Sequence, residues 1–169
     1  MKFAYVIAAE NGAVNRALSG LAMQLLDEGV RVVGTTQHDT PRPRTHVCDM
    51  DVRVLPDGDV IRISQDLGPN SRGCRLDAGA LEEAVAATMA RLDGAELLVI
   101  NKFGKHEADG RGFREVIAEA ISRDIPVIVG TNGLNVGAFK EFCGDQAVPL
   151  AADTAVLLDW ARPLLRRAA

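Results

Sequence analysis

One segment of the sequence, residues 97–114, constrains the fold more than any other. It begins with the apolar run Leu-Leu-Val-Ile, whose length suits a strand buried on both faces of a sheet. Residues 101–112 are polar and glycine-rich, and a helical pattern of apolar residues resumes at Phe113. Strand, polar loop and helix in this order indicate an α/β sheet, in which ligands bind at the carboxyl ends of the strands. The loop at residues 101–112 is therefore the first candidate site.

Other apolar runs extend the same pattern along the chain. Runs at residues 3–9, 30–36 and 125–130 predict three more strands of the sheet, and the strand of the opening segment covers about residues 96–101. Helical periodicity separates the first two runs, so the chain begins with a β-α-β unit, whose crossover joins parallel strands.

The middle of the chain predicts an antiparallel insertion. Between residues 47 and 65, apolar and polar residues alternate on both sides of a Pro-Asp-Gly-Asp turn, which indicates a β-hairpin. Residues 38–46 contain two prolines and are interpreted as an exposed loop. We expect a single α/β domain over residues 1–169, with a three-layer, mainly parallel sheet and a β-hairpin insertion.

Composition narrows the function classes. The formal net charge of −4 gives no drive towards nucleic acid or an anionic membrane, so neither is an expected partner. Three cysteines without a CxxC pattern fit a reducing, cytoplasmic setting better than a disulfide framework. The apolar run at the N-terminus is only seven residues long and is followed by Glu10, which favours a buried strand over a signal peptide or membrane insertion.

The first strand–helix turn, residues 8–17, lies where a phosphate-binding loop is expected. A working P-loop needs several glycines, a lysine for the phosphates and a Ser or Thr for magnesium, whereas this turn has one glycine and neither of the others. The helix N-terminus still attracts anions, and backbone N–H groups of Asn11, Gly12 and Ala13 are candidate donors. An ordinary tight turn explains the same residues equally well.

The loop at residues 101–112 carries the charges that an anion site needs. Lys102, Lys105 and Arg111 lie among glycines, which allow close approach of the backbone to a phosphate or another oxyanion. The alternative is a solvated loop whose cations pair with Glu107 and Asp109. We favour the binding site because loops at strand ends carry function disproportionately.

Two further groups of residues were weighed beside this loop. Arg72 can reach over the sheet edge and close the anion site, although the loop around it suits local ion pairing equally well. His46, Cys48 and Asp49 with Cys74 include plausible metal ligands, but their spacing matches no standard zinc pattern. No metal site is predicted, and Cys48 is interpreted as a buried, inert residue.

Four stretches carry a resemblance to a known family. They are Cys-Asp-Met at residues 48–50, Ile-Ser-Gln-Asp-Leu-Gly at 63–68, Arg-Gly-Cys-Arg-Leu-Asp at 72–77, and Asn-Lys-Phe-Gly-Lys followed by Gly-Arg-Gly at 101–112. They resemble a bacterial family of domains of unknown function that is similar to divergent P-loop nucleoside triphosphatases and to proteins found beside molybdate transport genes. The resemblance implies a P-loop-like fold with residues 97–100 as the Walker B strand. Asn101 then stands where an acid that positions magnesium is expected.

These observations lead to one hypothesis and two alternatives. The hypothesis is a binding protein with a degenerate P-loop that holds a nucleotide, phosphate or molybdate without efficient hydrolysis, with Asn101 among the ligand-binding residues. One alternative is a slow nucleoside triphosphatase or phosphotransferase with Glu107 or Asp109 as the base. The other is a non-catalytic interaction module. The sequence identifies no cofactor and leaves a homodimer open.

Overall fold

The computed structural model describes residues 1–43, 48–68 and 75–165. Within these ranges the chain forms a seven-stranded sheet in the order β4-β3-β2-β5-β6-β1-β7. The strands are β1 (Phe3–Val6), β2 (Val32–Pro41), β3 (Cys48–Leu55), β4 (Val60–Arg62), β5 (Leu97–Phe103), β6 (Val127–Thr131) and β7 (Ala147–Leu150). The helices are α1 (Ala13–Asp27), α2 (Ala78–Met89), α3 (Lys105–Ala108), α4 (Arg114–Ser122), α5 (Val136–Cys143) and α6 (Thr154–Ala161).

Five neighbouring strands form the parallel part of the sheet. Strand β1 pairs in parallel with β6 and β7, and β5 pairs in parallel with β6 and β2. Strands β3 and β4 add an antiparallel hairpin at the β2 edge. The predicted fold is therefore confirmed: the strands predicted at residues 3–9 and 96–101 lie in one mainly parallel sheet, and the hairpin predicted at 47–65 is present in its described part as β3 and β4.

Two buried clusters form the core, one on each face of the sheet. Helices α1 and α6 cover one face with residues such as Leu21 and Leu157, which are inaccessible to solvent. Helices α2, α4 and α5 cover the other, where Phe139 contacts Phe103 edge-on. The helix–sheet–helix arrangement matches the predicted three layers. Among the described residues, no helix combines the length and apolar character that crossing a bilayer requires.

Three boundaries differ from the sequence-based prediction. Strand β1 ends at Val6, where its pairing with Gly130 of β6 and Leu150 of β7 also ends. Strand β2 continues to Pro41, so the loop predicted over residues 38–46 was wrong for residues 38–41, while residues 44–46 lie outside the described ranges. The reason is that β3 supplies an antiparallel partner for every residue of this extension, and Pro41 occupies its last position, where a missing N–H is tolerated.

The third difference changes the shape of the candidate site. Strand β5 continues to Phe103, and residues 105–108 form one turn of helix, so much of the predicted loop at 101–112 has regular structure. Asn101 and Lys102 are consequently strand residues whose side chains point to opposite sides, one buried and one exposed. Alternation along a strand, rather than a flexible loop, decides which of them solvent can reach.

Candidate functional site

Two of the cavities at the edge where the parallel strands end are lined by Asn101 and Lys102. The first, here called the strand-end cavity, has a volume of about 410 Å³ and lies between the β1–α1 turn and the ends of β2, β5 and β6. Its polar lining comprises Glu10, Asn11, Asn15, Gln37, Asp39, Asn101, Lys102, Thr131 and Asn132. The second, here called the apolar cavity, has about 300 Å³ and lies between α2, α3 and β3. Lys102 lines both cavities.

The β1–α1 turn is held together by local contacts. Gly12 precedes α1 with a φ of +80°, which favours glycine because other side chains are strained there. The N–H of Ala13 donates to the carbonyl of Glu10 at 3.3 Å, so this donor is already engaged. Arg16 pairs with the Glu10 carboxylate, and both side chains are exposed. Asn11 and Gly12 line the strand-end cavity.

Close approach of backbone explains why this turn sits beside β5. A Cβ atom on Gly130 of β6 would lie 2.2 Å from the carbonyl oxygen of Asn101 and 2.6 Å from Cγ1 of Val14. The glycine therefore lets α1 and the end of β5 pack against the same point of β6. This packing brings Asn15 of α1 within hydrogen-bonding reach of Asn101.

Asn101 is the centre of a buried amide network. Its side chain is 3% exposed, and its Nδ2 donates to Oδ1 of Asn15 at 2.8 Å and to Oε1 of Gln37 at 3.4 Å. Its Oδ1 accepts the backbone N–H of Gln37 at 3.2 Å, and Gln37 in turn donates to Asp39 at 2.9 Å. Both donors and the acceptor of the Asn101 amide are thus engaged, and the position that resembles a Walker B acid is neutral.

The predicted cations do not all lie together. Lys102 is exposed at the boundary of the two cavities, whereas Lys105 lines the apolar cavity alone. Arg111 is exposed beyond the end of α3, where its backbone N–H donates to His106, and it is not among the described residues that line either cavity. The strand-end cavity therefore brings together Asn11, Gly12, Asn101 and Lys102 from the predicted set.

Glu107 has a structural position rather than that of a base. It is 2% exposed, and its carboxylate accepts the backbone N–H groups of Gly104 at 2.9 Å and of Phe113 at 3.3 Å. Burial raises the pKa of this carboxyl above its ordinary value, against the opposing effect of those hydrogen bonds. Gly112, with a φ of +66°, leaves room for the carboxylate, since a Cβ there would lie 2.3 Å from Oε1. Glu107 thus ties the start of α3 to the start of α4.

A second glutamate, Glu82 of α2, contacts the segment between β5 and α4. Oε1 of Glu82, on α2, lies 2.8 Å from Nε2 of the buried His106 and accepts the N–H of Gly112 at 3.0 Å. The hydrogen bonds of Glu82 and Glu107 therefore hold the segment between β5 and α4 against α2. Arg72, together with His46 and Cys74 of the weighed metal site, lies outside the described residues.

Sequence reasoning missed six of the polar residues that line the strand-end cavity, namely Glu10, Asn15, Gln37, Asp39, Thr131 and Asn132. Gln37 and Asp39 follow the predicted end of β2 at residue 36, and the extension of that strand to Pro41 carries them to the strand-end cavity. Asn15 lies in the predicted helix, and no pattern marks it as a partner of Asn101 across 86 residues. The available signal was the polar pair Gln37-His38 directly after an apolar strand, which the two following prolines masked.

Solved structures share this fold. The crystal structure of THEP1 from the hyperthermophile Aquifex aeolicus superposes with a TM-score of 0.68 at 17% sequence identity, over 99% of this chain and 100% of that one. The solution structure of a human cancer-related nucleoside triphosphatase gives 0.60 at 17% identity, over 94% of this chain and 93% of that one. Both neighbours are P-loop folds, so the architecture here is P-loop-like.

Sequence relatives agree with the fold. The molybdenum import ATP-binding protein ModC 2 of Bradyrhizobium diazoefficiens is 34% identical over 146 residues. The match includes 86% of this chain but only 16% of the length of that relative. The chain is therefore related to a segment of this ATP-binding protein. A family model described as "Protein of unknown function (DUF2478)" matches residues 3–160, and the chain belongs to this family.

Proposed function

We propose that this chain is a binding domain with a degenerate P-loop, which holds a nucleotide or a tetrahedral oxyanion in the strand-end cavity and hydrolyses nucleotide poorly. The ligand's anionic group lies between Lys102 and the N-terminus of α1, where Asn11 and Gly12 line the cavity. A helix N-terminus and a lysine both favour an anion. Fold neighbours and the ATP-binding relative support a nucleotide as the first ligand to test.

The observation that carries this proposal is the amide network around Asn101. Phosphoryl transfer depends on a metal ion and cations that stabilise charge as it develops. At the end of β5 the chain instead presents a neutral amide whose donors and acceptor are engaged by Asn15 and Gln37. This arrangement supports binding and gives no charged group to hold magnesium at that position.

The charges around the cavity point to Lys102 as the main electrostatic contact. Glu10 is paired with Arg16, and Asp39 accepts a hydrogen bond from Gln37. Lys102 makes no ion pair among the described residues, so its ammonium group is available to an anion. Its removal should therefore weaken ligand binding without disturbing the fold, since an exposed charge contributes little to stability.

Calorimetric titration tests the proposal with ATP, ADP, phosphate and molybdate, on wild type, Lys102→Ala and the control Lys140→Ala. Lys140 is an exposed lysine of α5 that lines neither cavity. We expect Lys102→Ala to weaken binding by about ten- to a hundredfold, the size of one charge-assisted contact. Molybdate is included because the name of the bacterial relative refers to molybdenum import.

Two results would contradict the proposal. Equal affinities of wild type and Lys102→Ala would show that this lysine is only solvated, and absence of binding to all four anions would favour an interaction module. Magnesium-dependent ATP turnover near 1 per second, a typical order for phosphoryl-transfer enzymes, would establish an enzyme instead.

A further inference from the structure

The apolar cavity has the features of a ligand site that the proposed function does not use. Its walls include Val52, Ile63, Leu81 and Phe113, all of them buried in the hydrophobic core around it. A volume of about 300 Å³ is at the lower end of the range for small-molecule sites. An occupant of this cavity therefore needs a compact apolar body.

The charges that face this cavity are mostly positive. Arg75, Lys102 and Lys105 line it, and the carboxylate of Glu107 is engaged by the backbone of Gly104 and Phe113. Nη2 of Arg75 makes no hydrogen bond among the described residues and forms only a long ion pair of 3.9 Å with Asp49, a carboxylate that also pairs with Arg42 and Arg62. The guanidinium charge is therefore only partly compensated, and an anionic group on a ligand would add a charge-assisted contact.

The rim of the cavity carries an exposed leucine. Leu134 lines the cavity and is 93% exposed, in the turn between β6 and α5. The turn is held by Oδ1 of Asn132, which accepts the backbone N–H groups of Leu134 and Asn135 at 3.1 and 3.0 Å. The turn thus fixes an apolar side chain in solvent beside an apolar cavity, where it can cover a bound molecule.

We propose that the apolar cavity binds a small organic anion, with its apolar body between Leu81 and Phe113 and its anionic group towards Arg75 and Lys105. Gln37, Met50, Asn101, Lys102 and Asn132 line both this cavity and the strand-end cavity, so the two sites are adjacent, and under this proposal the chain takes two ligands side by side. The site is distinct from the one in the proposed function, because Lys105, Arg75 and Leu134 line only this cavity.

Fluorescence titration with 8-anilinonaphthalene-1-sulfonate tests this site, since the probe has an apolar body, one anionic group and brighter emission in apolar surroundings. We expect saturable binding by the folded wild-type chain. Lys105→Ala should weaken it about tenfold by removing a cationic contact. Leu134→Ser should weaken it about threefold by removing apolar cover.

Matched controls separate the cavity from general surface binding. Lys140→Ala removes an exposed lysine elsewhere, and Val60→Ser removes a side chain that is 62% exposed on β4. Both should bind the probe within about twofold of wild type. All four substitutions are at exposed residues, and urea unfolding midpoints verify that each variant folds.

The outcomes are decisive in each direction. No saturable binding, or equal affinity of wild type, Lys105→Ala and Leu134→Ser, would overturn the proposal. A final titration with saturating ATP should leave the stoichiometry of the probe unchanged; complete displacement would show that the apolar cavity belongs to the nucleotide site. Because the probe titration needs no nucleotide, failure of ATP binding would contradict the proposed function alone.

Discussion

The β1–α1 turn and the β5–α3 corner lie at the same edge of the sheet and are built in opposite ways. In the first, Glu10 is exposed and pairs with the equally exposed Arg16. In the second, Glu107 is buried and accepts N–H groups from Gly104 and Phe113. The same type of side chain is thus solvated in one turn and forms part of the interior in the other.

This difference separates ligand-binding candidates from architecture within one motif. Of the motif at residues 101–112, Glu107 and Gly112 shape the backbone, and Asn101 joins β5 to α1 and β2. The side chains of Lys102 and Lys105 are exposed and line the apolar cavity, so a ligand can contact them. The amino-acid sequence of the motif is therefore explained by the requirements of folding as much as by ligand binding.

The largest expected effect on the free energy of unfolding comes from substitution of the buried glutamate, Glu107. Glu107→Ala leaves the N–H groups of Gly104 and Phe113 without an acceptor in the interior and opens a void, which should lower the free energy of unfolding by about 3 kcal/mol. Urea unfolding measures it, with the exposed helix residue change Glu83→Ala as control. A loss below about 1 kcal/mol, the usual size for a surface change, would show that the corner does not depend on this carboxylate.

The order of strands and helices was predictable because it depends on local patterns. Apolar runs at 97–100 and 125–130 have no alternation, as expected for strands covered on both faces, and the residues at 47–65 alternate around a turn. The extension of β2 to Pro41 was not predictable from its own residues. It exists because β3 pairs with it, and such pairing between strands is a property of the assembled sheet.

The placement of the candidate site residues was predictable in part for the same reason. Strand ends marked Asn11, Gly12, Asn101 and Lys102, which the structure brings to one cavity. The roles of Glu107 and Asn15 required tertiary contacts: burial converts the first from a charged loop residue into a backbone acceptor, and the second meets Asn101 only after α1 packs on β6. Charge in a sequence does not reveal whether its carrier is solvated.

Substitutions of two glycines near Glu107 should have a smaller effect on the free energy of unfolding and test how closely this carboxylate is packed. Gly112→Ala combines a strained φ of +66° with a Cβ 2.3 Å from Oε1 of Glu107, and should cost about 2–3 kcal/mol. Gly110→Ala is the control, because its φ of +94° is also strained but no atom lies within 4 Å of the added Cβ. The unfolding free energies of the two variants, measured by thermal and urea unfolding, should differ by about 1 kcal/mol or more. Equal losses would mean that strain alone, without crowding of the glutamate, decides the cost.

Glu107 should also give the fold a pH dependence of a definite sign. Burial raises the pKa of its carboxyl in the folded protein, so between the unfolded value of about 4.3 and the folded value the native state binds more protons. This contribution therefore makes the protein less stable as pH rises through that window.

Glu107→Gln removes the titrating carboxyl group. As pH rises through the window, the unfolding free energy of this variant should fall less than that of wild type, and the difference between the two should be at most about 1.4 kcal/mol per pH unit. Denaturant unfolding from pH 4 to pH 7 measures the difference between the two proteins. Contributions from other carboxylates cancel in this difference, including Asp49, whose pKa is lowered by its hydrogen bond with Arg42. Parallel curves would contradict a raised pKa.

The smallest expected effect on stability belongs to the exposed glutamate. Glu10→Ala breaks an ion pair between two solvated side chains, so the free energy of unfolding should change by no more than about 0.5 kcal/mol. Its effect on ligand binding should be opposite to that of Lys102→Ala. Removing a carboxylate from the lining of the strand-end cavity releases Arg16, and both changes favour an anion, so ATP affinity should rise about threefold at low salt.

Calorimetric titrations of ATP into wild type, Glu10→Ala and Glu83→Ala at two ionic strengths test this expectation. The gain should shrink as salt screens the interaction, and Glu83→Ala, which lies outside the cavity lining, should match wild type. Weaker ATP binding by Glu10→Ala would show that the carboxylate serves the ligand, through a metal ion or through the shape of the turn. In that case the contrast between the two turns would fail, because Glu10, like Glu107, would be needed for the structure or binding site around it.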